Sequence, residues 1–197
     1  NATEIRRLKK ELATLRAVMR TYLAQIDSLN KLTTQQQQVI TEVTRKYNRA
    51  SQQINTLSEE KESLNKKVTL AAQLDATNIR IEPRNKRGKE TNKVKSIVKL
   101  AISFSISKNI TAENGERTLY LRITKPDNSV LTKSEANTFP YENRTLTYSI
   151  KKYIDYNGEE QKVEVFWDVE EFLYAGNYRV DIFEGGNLIG SQSFTLK

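Results

Sequence analysis

The sequence contains no proline before Pro83 and no glycine before Gly88, which leaves an unusually long stretch without helix-breaking residues. Counting heptads from Ile5, seventeen of the twenty a and d positions up to Ala71 are apolar, and the pattern has no phase slip. A sustained repeat of 3.5 residues predicts a left-handed coiled coil. Only Thr33, Gln36 and Lys61 interrupt the pattern. We call the following large apolar residues the apolar seam: Ile5, Leu8, Leu12, Leu15, Met19, Tyr22, Ile26, Leu29, Ile40, Val43, Tyr47, Ile54, Leu57, Leu64 and Val68.

A helix of this length needs a partner outside its own domain. Seventy helical residues extend over about 105 Å, whereas a domain of ~120 residues has a radius of gyration of only about 14 Å. We therefore expect the apolar seam to pack against another copy of the chain. A helical hairpin that turns back at residues 33–38 is the alternative, which is disfavoured because that segment contains no Gly, Pro or Asn.

The residues within the heptads favour a parallel homodimer. Ile at several a positions with Leu at half of the d positions is typical of two parallel strands. The pairs Glu4–Lys9 and Glu11–Arg16 have the g-to-e spacing that joins parallel helices. A homotrimer stays open as an alternative because four e and g positions are apolar, namely Val18, Leu23, Leu32 and Val39.

After Asp75 the apolar period changes from 3.5 to 2, which indicates β-strands. The sequence predicts about seven strands separated by turn signals such as Asn114-Gly115 and Asn157-Gly158. One of these strands is expected to run from Leu146 through Ile150. The fold class predicted is an α plus all-β chain in two parts: a coiled-coil helix over residues 1–75 and an antiparallel immunoglobulin-like β-sandwich over residues 76–197.

The segment before the penultimate predicted strand carries two local signals. Tyr178 lies two residues before Val180, a core position, as does the tyrosine-corner residue of immunoglobulin-like folds. Asp168 and Glu171 have capping-box spacing, which predicts a brief helical turn that ends near Gly176. We expect Trp167 to pack in the core.

Composition argues against catalysis. The chain has no histidine and no cysteine, which removes the commonest general base, the commonest metal ligand and every thiolate site. The acids Asp168, Glu170 and Glu171 could serve glycoside chemistry, but a role at a helix start is favoured. Residues 127–129 are expected to form an Asx turn rather than a calcium loop. The sequence predicts no catalytic residue, no metal and no cofactor.

A basic stretch over residues 80–99 holds eight basic residues and two acidic ones, a net charge of +6 out of +8 for the chain. We place it at the junction of the helix and the sandwich, where it could bind nucleic acid or another polyanion. A solvated loop without a partner is the favoured interpretation, because no aromatic residues are interleaved. The candidate residues are Arg84, Lys86, Arg87, Lys89 and Lys93.

Two aromatic pairs lie in predicted connections and form a second candidate contact site for protein or glycan: Phe139 with Tyr141, and Phe172 with Tyr174. Packing at the ends of the sandwich core is favoured for both pairs over an exposed binding role.

Three segments carry a resemblance to a known family: Gln73 to Thr77, Tyr178 to Phe183 and Leu188 to Leu196. With the heptads before them, they resemble a bacterial family of membrane-anchored coiled-coil proteins that end in an immunoglobulin-like sandwich. Members are often labelled chromosome-segregation-like. The resemblance implies a membrane anchor upstream of Asn1 and a location in the cell envelope, facing the periplasm.

The expected function is therefore that of a non-enzymatic, homo-oligomeric spacer that presents a sandwich to an envelope protein or glycan. A nucleic-acid-associated coiled coil in the cytoplasm that uses the basic stretch is the first alternative, and a glycan-binding sandwich is the second. No stretch of this sequence has the apolar length needed to cross a bilayer.

Overall fold

A computed structural model describes all 197 residues of the chain. One helix, α1, runs from Ala2 to Ala71 and is followed by a domain of antiparallel strands. These findings confirm the predicted long N-terminal helix and antiparallel β domain. The chain divides into two compact units, Asn1–Ser63 and Leu64–Lys197.

The helix α1 is continuous, and none of its residues is buried. It passes through residues 33–38 without a break, so the alternative of a helical hairpin is wrong. Ion pairs one turn apart support its polar surface, such as Arg7 with Glu11 at 3.4 Å and Lys46 with Glu42 at 2.9 Å. Such exposed pairs add only a few tenths of a kcal/mol each to the stability of the helix.

Nine strands form three sheets, where about seven strands were predicted. The sheet orders are β1-β2-β7, β6-β3-β8-β9 and β4-β5, and every pairing between neighbours is antiparallel. The bounds of the strands are β1 Ala76–Arg84, β2 Lys99–Ile106, β3 Gly115–Thr124, β4 Thr138–Tyr141, β5 Arg144–Thr147, β6 Ile150–Tyr156, β7 Gln161–Asp168, β8 Gly176–Glu184 and β9 Asn187–Leu196.

The core of the β domain is formed by alternate residues of the three-stranded and four-stranded sheets. Leu100 and Ile102 of β2 and Leu119 and Leu121 of β3 are fully buried, and they belong to one apolar cluster. Trp167 joins this cluster with 2% of its surface exposed, as predicted. The core therefore follows the period-2 pattern read from the sequence.

A hairpin of β4 and β5 was not predicted, and its aromatic residues pack against the four-stranded sheet. Phe139 stacks on Tyr120 of β3, with ring centroids 4.6 Å apart, and lies 5.1 Å from Phe183 of β8. Tyr141 contacts Phe183 edge-on at 5.0 Å, and Tyr148 tilts against Tyr120 at 5.2 Å. These five rings form a second, smaller apolar cluster outside the main core.

The strand predicted from Leu146 through Ile150 is wrong, because the chain leaves β5 after Thr147 and enters β6 at Ile150. Between them, the Ser149 N–H donates to the carbonyl of Leu121 at 2.8 Å, and the Ser149 hydroxyl accepts from the N–H of Ile123 at 2.8 Å. Ser149 thus takes the place of a strand residue beside β3 while the chain moves from the hairpin to the sheet.

The first and last strands approach each other closely at Gly190. A Cβ added there would lie 2.8 Å from Ile79 Cδ1, 2.9 Å from Ala76 Cβ and 3.0 Å from the Ala76 carbonyl oxygen. Real Cβ contacts are longer than this, so only glycine permits the observed contact between β1 and β9.

The C-terminal end of α1 is fixed to the β domain by Asn109. Its side-chain amide donates to the carbonyl of Ala71 at 2.8 Å and to that of Gln73 at 3.0 Å. Its side-chain oxygen accepts from the N–H groups of Thr111 and Ala112. One side chain therefore satisfies carbonyls at the helix end, which lack partners within the helix.

Candidate binding surfaces on the helix and the β domain

The apolar seam lies exposed along α1. Its members range from 47% exposure at Leu12 to 71% at Tyr47, and the four apolar e and g residues named above are exposed as well. Fully burying a side chain of this size contributes about 1.5–3 kcal/mol. A single helix forgoes that contribution at every heptad, which makes the seam the most extensive candidate contact surface of the chain.

The polar residues of the a and d series differ in whether their side chains form a hydrogen bond within α1. The Thr33 hydroxyl donates to the carbonyl of Leu29, one turn earlier, at 2.8 Å. Gln36 and Lys61 are exposed on the same helix. Thr33 therefore makes its hydrogen bond inside its own helix, whereas the Gln36 amide is available to a partner.

The basic stretch was predicted to lie at the junction of the helix and the sandwich. In the structure it lies at the other end of β1, the end away from the helix. This strand starts at Ala76, five residues after the end of α1, and its last residue is Arg84. At about 3.3 Å per residue, Arg84 lies roughly 26 Å along the strand from Ala76. The prediction was wrong because it counted sequence distance from the helix and did not follow the direction of the strand.

Not every cation of the stretch is free. The Arg84 guanidinium donates to Glu82 at 2.8 Å and holds the pKa of that carboxyl below its usual value. Arg80 contacts the same carboxylate at 2.8 Å. Both arginines are thus paired with a carboxylate of β1.

The connection from β1 to β2 carries the remaining cations, and we call residues 85–98 the basic loop. Its tip is a tight turn in which Asn85 Oδ1 accepts from the N–H groups of Arg87 and Lys89, at 2.9 and 3.1 Å. Gly88 has a φ of +75°, a left-handed conformation that suits glycine. The exposed cations of the loop have no ion-pair partner; they are Lys86, Arg87, Lys89, Lys93 and Lys95.

The structure separates the four candidate aromatic residues into two groups. Phe139 and Tyr141 belong to β4 and pack in the small aromatic cluster, where Phe139 is 2% exposed. Phe172 and Tyr174 lie in the connection from β7 to β8 and are 71% and 51% exposed. Packing was favoured for all four, and Phe172 and Tyr174 do not follow that interpretation.

We call Phe172 and Tyr174 the aromatic pair, because their rings meet edge-on at 5.4 Å. Leu173 between them is 3% exposed and anchors the segment in the core. The Tyr178 hydroxyl donates to the Tyr174 carbonyl at 2.9 Å and accepts from the Tyr174 N–H at 3.0 Å. The backbone that carries the pair is therefore held by the buried Leu173 and by the hydrogen bonds of Tyr178.

The helical turn predicted over residues 168–176 does not form. Residues 169–175 contain neither helix nor strand. Instead of reaching a backbone N–H, the Glu171 carboxylate accepts from the indole Nε1 of Trp167 at 2.6 Å. A buried indole N–H usually finds such an acceptor, and this hydrogen bond holds Glu171 against the core residue Trp167.

Most acids near the aromatic pair are engaged within the domain. Asp168 lies 3.6 Å from Lys99, and Glu170 lies 3.0 Å from Lys133. In the neighbouring connection, Asp127 accepts from the Ser129 hydroxyl at 2.6 Å and from its N–H at 3.0 Å. This Asx turn confirms the prediction for residues 127–129, and the Ser129 hydrogen bond lowers the pKa of the Asp127 carboxyl.

No three His, Cys, Asp or Glu side chains converge in the structure. An open depression of about 570 Å³ lies on the outer face of the three-stranded sheet, and its lining includes Arg80, Ser103, Ser105, Lys162 and Glu164. No helix has the length and apolar content required to cross a bilayer.

Together these features define a coiled-coil protein with a C-terminal domain of antiparallel sheets. Residues 77–197 match the family model described as Domain of unknown function (DUF8428), and the chain belongs to that family. Residues 1–62 match a second model, Coiled-coil region of unknown function (DUF8429). No curated protein matches the sequence.

Two solved structures show a distant likeness to this chain. The alkylpurine DNA glycosylase AlkC of Pseudomonas fluorescens aligns with 66% of this chain at 14% identity and a TM-score of 0.38. A β-glucosidase of Kluyveromyces marxianus aligns with 61% of it at 12% identity and a TM-score of 0.35. The chain covers 32% of the glycosylase and 15% of the glucosidase, and neither likeness bears on function.

Proposed function

We propose that this protein is a non-enzymatic interaction protein in which α1 forms a parallel homodimeric coiled coil and the β domain is its binding module. One observation carries the proposal: the apolar seam keeps its heptad phase from Ile5 to Val68 along one continuous helix and has no partner within the chain. Ordering an isolated helix is marginal in water unless an apolar face is buried. A second copy of the same seam supplies that burial along the whole length.

Pairing across the interface supports the parallel arrangement. In a parallel dimer, Glu4 of one helix meets Lys9 of the other, and Glu11 meets Arg16, each joining opposite charges. The exposed amide of Gln36 would meet its own copy and fix the register. The apolar e and g residues widen the buried face in the middle of α1, and a homotrimer would use them more fully.

We further propose that the β domain is an immunoglobulin-like sandwich with an inserted hairpin. Seven strands in a three-stranded and a four-stranded sheet around one core support this assignment. In this interpretation β4 and β5 are an insertion between β3 and β6. The hydrogen bond from Tyr178 to the Tyr174 backbone supports it too, because it has the form of a tyrosine corner. A place in the bacterial envelope is proposed from the family resemblance alone.

The association is tested by sedimentation velocity on the full chain over a range of concentrations. We expect an elongated dimer whose mass is independent of concentration. The variant Ile26→Asp with Leu29→Asp puts two charges in the seam and should yield monomers. Ala24→Asp with Gln35→Asp adds the same charges at the outer f and c positions and should leave the dimer intact.

Compact monomers of the unmodified chain would refute the proposal, and a threefold mass would replace the dimer by the trimer. Strand direction is tested separately, since the chain has no cysteine of its own. Ala50→Cys at a d position should form a disulfide between the two helices only if they are parallel and in register.

A further inference from the structure

The basic loop and the aromatic pair lie at the same end of the β domain. The basic loop follows the end of β1 and leads into the start of β2, while the aromatic pair lies between the end of β7 and the start of β8. Because these strands are antiparallel neighbours, both connections emerge at one end. The Val169 N–H donates to the Val98 carbonyl at 2.9 Å and joins the two connections directly.

The end of the β domain that carries the basic loop has an excess of positive charge. The nearby carboxylates of Asp168, Glu170 and Glu171 already have partners, in Lys99, Lys133 and Trp167 respectively. Glu90, the one acid of the basic loop, lies 3.8 Å from Arg80. The five cations of the loop have no ion-pair partner. The end therefore presents uncompensated positive charge, and a partner that complements it must be anionic.

The aromatic pair adds an apolar component at the same end of the domain. Phe172 exposes 71% of its surface although the buried Leu173 and the Tyr178 hydroxyl hold the segment in place. Exposed aromatic rings at the same end of a domain as uncompensated cations suit the boundary between water and lipid, where rings sit at the level of the headgroups. Because the segment is already ordered, little conformational entropy is lost when the rings enter that boundary.

We propose that this end of the β domain binds the surface of an anionic bilayer. The cations at the turn, Lys86, Arg87 and Lys89, contact phosphate-bearing headgroups, and Phe172 and Tyr174 enter the interfacial layer. A nucleic acid fits less well, because its backbone is followed by cations spread along a groove. Here the three cations occupy a single turn held by Asn85.

This inference rests on the proposed function, since it names the partner of the binding module. Clustered copies of the β domain in one oligomer would bind a surface with greater avidity than a single copy. Loss of oligomers would thus weaken vesicle binding, whereas loss of the loop cations would weaken it without a change in mass. The two failures can be told apart by measuring both quantities on each sample.

The test is co-sedimentation of the full chain with vesicles of phosphatidylcholine alone or with 30% phosphatidylglycerol, at low and physiological salt. Each cation near an anionic surface contributes roughly fivefold to binding. We therefore expect Lys86→Gln, Arg87→Gln and Lys89→Gln together to lower the partition coefficient by about a hundredfold. Phe172→Ser with Tyr174→Ser should lower it at both salt concentrations, because insertion of rings is not screened.

A matched control removes three cations from the outer surface of α1: Arg6→Gln, Arg7→Gln and Lys10→Gln. This variant changes the net charge equally and should bind within a few fold of the unmodified chain. Equal loss in the control and the loop variant would overturn the proposal, and so would failure of the unmodified chain to bind anionic vesicles. Binding of duplex DNA that exceeds vesicle binding and ignores the aromatic substitutions would replace the bilayer by nucleic acid. Circular dichroism and sedimentation on every variant verify folding and mass.

Discussion

The Tyr178 hydroxyl forms two hydrogen bonds with the backbone of Tyr174, as donor to its carbonyl at 2.9 Å and as acceptor from its N–H at 3.0 Å. Tyr178 itself is 1% exposed, whereas the side chain of Tyr174 is half exposed. A residue of the core thus holds the backbone of a residue at the surface.

Tyr178→Phe removes both hydrogen bonds and keeps the ring. We expect a loss of about 1–2 kcal/mol in the free energy of unfolding at pH 7. Urea denaturation followed by fluorescence measures it, because Trp167 is the only tryptophan and lies in the β domain. Tyr174→Phe is the matched control and should change stability by less than about 0.5 kcal/mol.

The same hydroxyl makes the stability of the β domain depend on alkaline pH. Burial raises the pKa of Tyr178 above that of the unfolded chain. Its contribution is therefore complete below about pH 10 and is lost as the pH rises through the folded-state pKa. The difference in unfolding free energy between the unmodified chain and Tyr178→Phe should shrink as the pH rises above about 10, the usual pKa of tyrosine. A difference that grows with pH would show that the hydroxyl is not neutral in the folded state.

Glu142 occupies a left-handed backbone conformation, with a φ of 52°, in the two-residue turn between Tyr141 and Arg144. This conformation costs roughly 1–2 kcal/mol for most residues, and Asn tolerates it better. Glu142→Asn should therefore raise the unfolding free energy by about 0.5 kcal/mol. Glu142→Gln removes the charge but keeps the strained backbone, so it should leave the unfolding free energy unchanged. An equal gain in that variant would show that the charge, and not the backbone strain, lowers the stability.

Gly190→Ala is expected to cost about 1–3 kcal/mol, because the new methyl group would overlap Ile79 and Ala76. Adding Ile79→Ala removes the 2.8 Å overlap with Cδ1 but leaves the 2.9 and 3.0 Å contacts with Ala76. A thermal melt of the single and double variants, each compared with Ile79→Ala alone, should therefore show partial relief. Full tolerance of Gly190→Ala would contradict the close approach of β1 and β9.

The polar residues of the seam can be tested through the thermal stability of α1. Thr33→Ile with Gln36→Leu completes the apolar pattern and should raise the melting temperature measured by circular dichroism at 222 nm. The Thr33 hydroxyl bonds only to its own helix, so its loss leaves no partner unsatisfied. Thr34→Ile with Gln35→Leu makes the same changes at outer positions and should not raise it. Mixed masses in sedimentation would show that the polar residues maintain one oligomeric state.

Asn109→Ala removes the donor that satisfies the Ala71 and Gln73 carbonyls and the acceptor for Thr111 and Ala112. We expect a loss of about 1–3 kcal/mol in the β-domain unfolding free energy. Asn109→Asp keeps the acceptor but places a negative charge beside a helix C-terminus, which is unfavourable. It should recover only part of the loss, and full recovery would show that the contact with the helix end is dispensable.

The spacing of apolar residues predicted the helix and the core strands, because each of these elements has one regular apolar face. The core strands bury this face, and α1 exposes it. Leu146 and Ile150 show where this reasoning fails. The alternation continues through Tyr148, yet Leu146 belongs to the hairpin and Ile150 to the four-stranded sheet. Apolar spacing reports burial, and two successive strands that are both half-buried produce the same spacing as one.

The candidate surfaces were recognised from the sequence as residue types, but their places were not. Lys86 and Phe172 are 86 positions apart, and only the antiparallel pairing of β1, β2 and β7 brings their connections to one end of the domain. The local signal at Asp168 and Glu171 was misleading because the buried indole of Trp167 takes the carboxylate that a helix start would have used.

The β4–β5 hairpin and the rings it covers depend on each other. Tyr120 and Phe183 lie outside the main core, and Phe139 and Tyr141 of the hairpin cover them. A relative that had lost the hairpin but retained these rings would expose adhesive apolar surface on a four-stranded sheet and would tend to aggregate. The hairpin and the aromatic residues at positions 120 and 183 should therefore be inherited together. A related domain that lacks the hairpin should carry polar residues at these two positions.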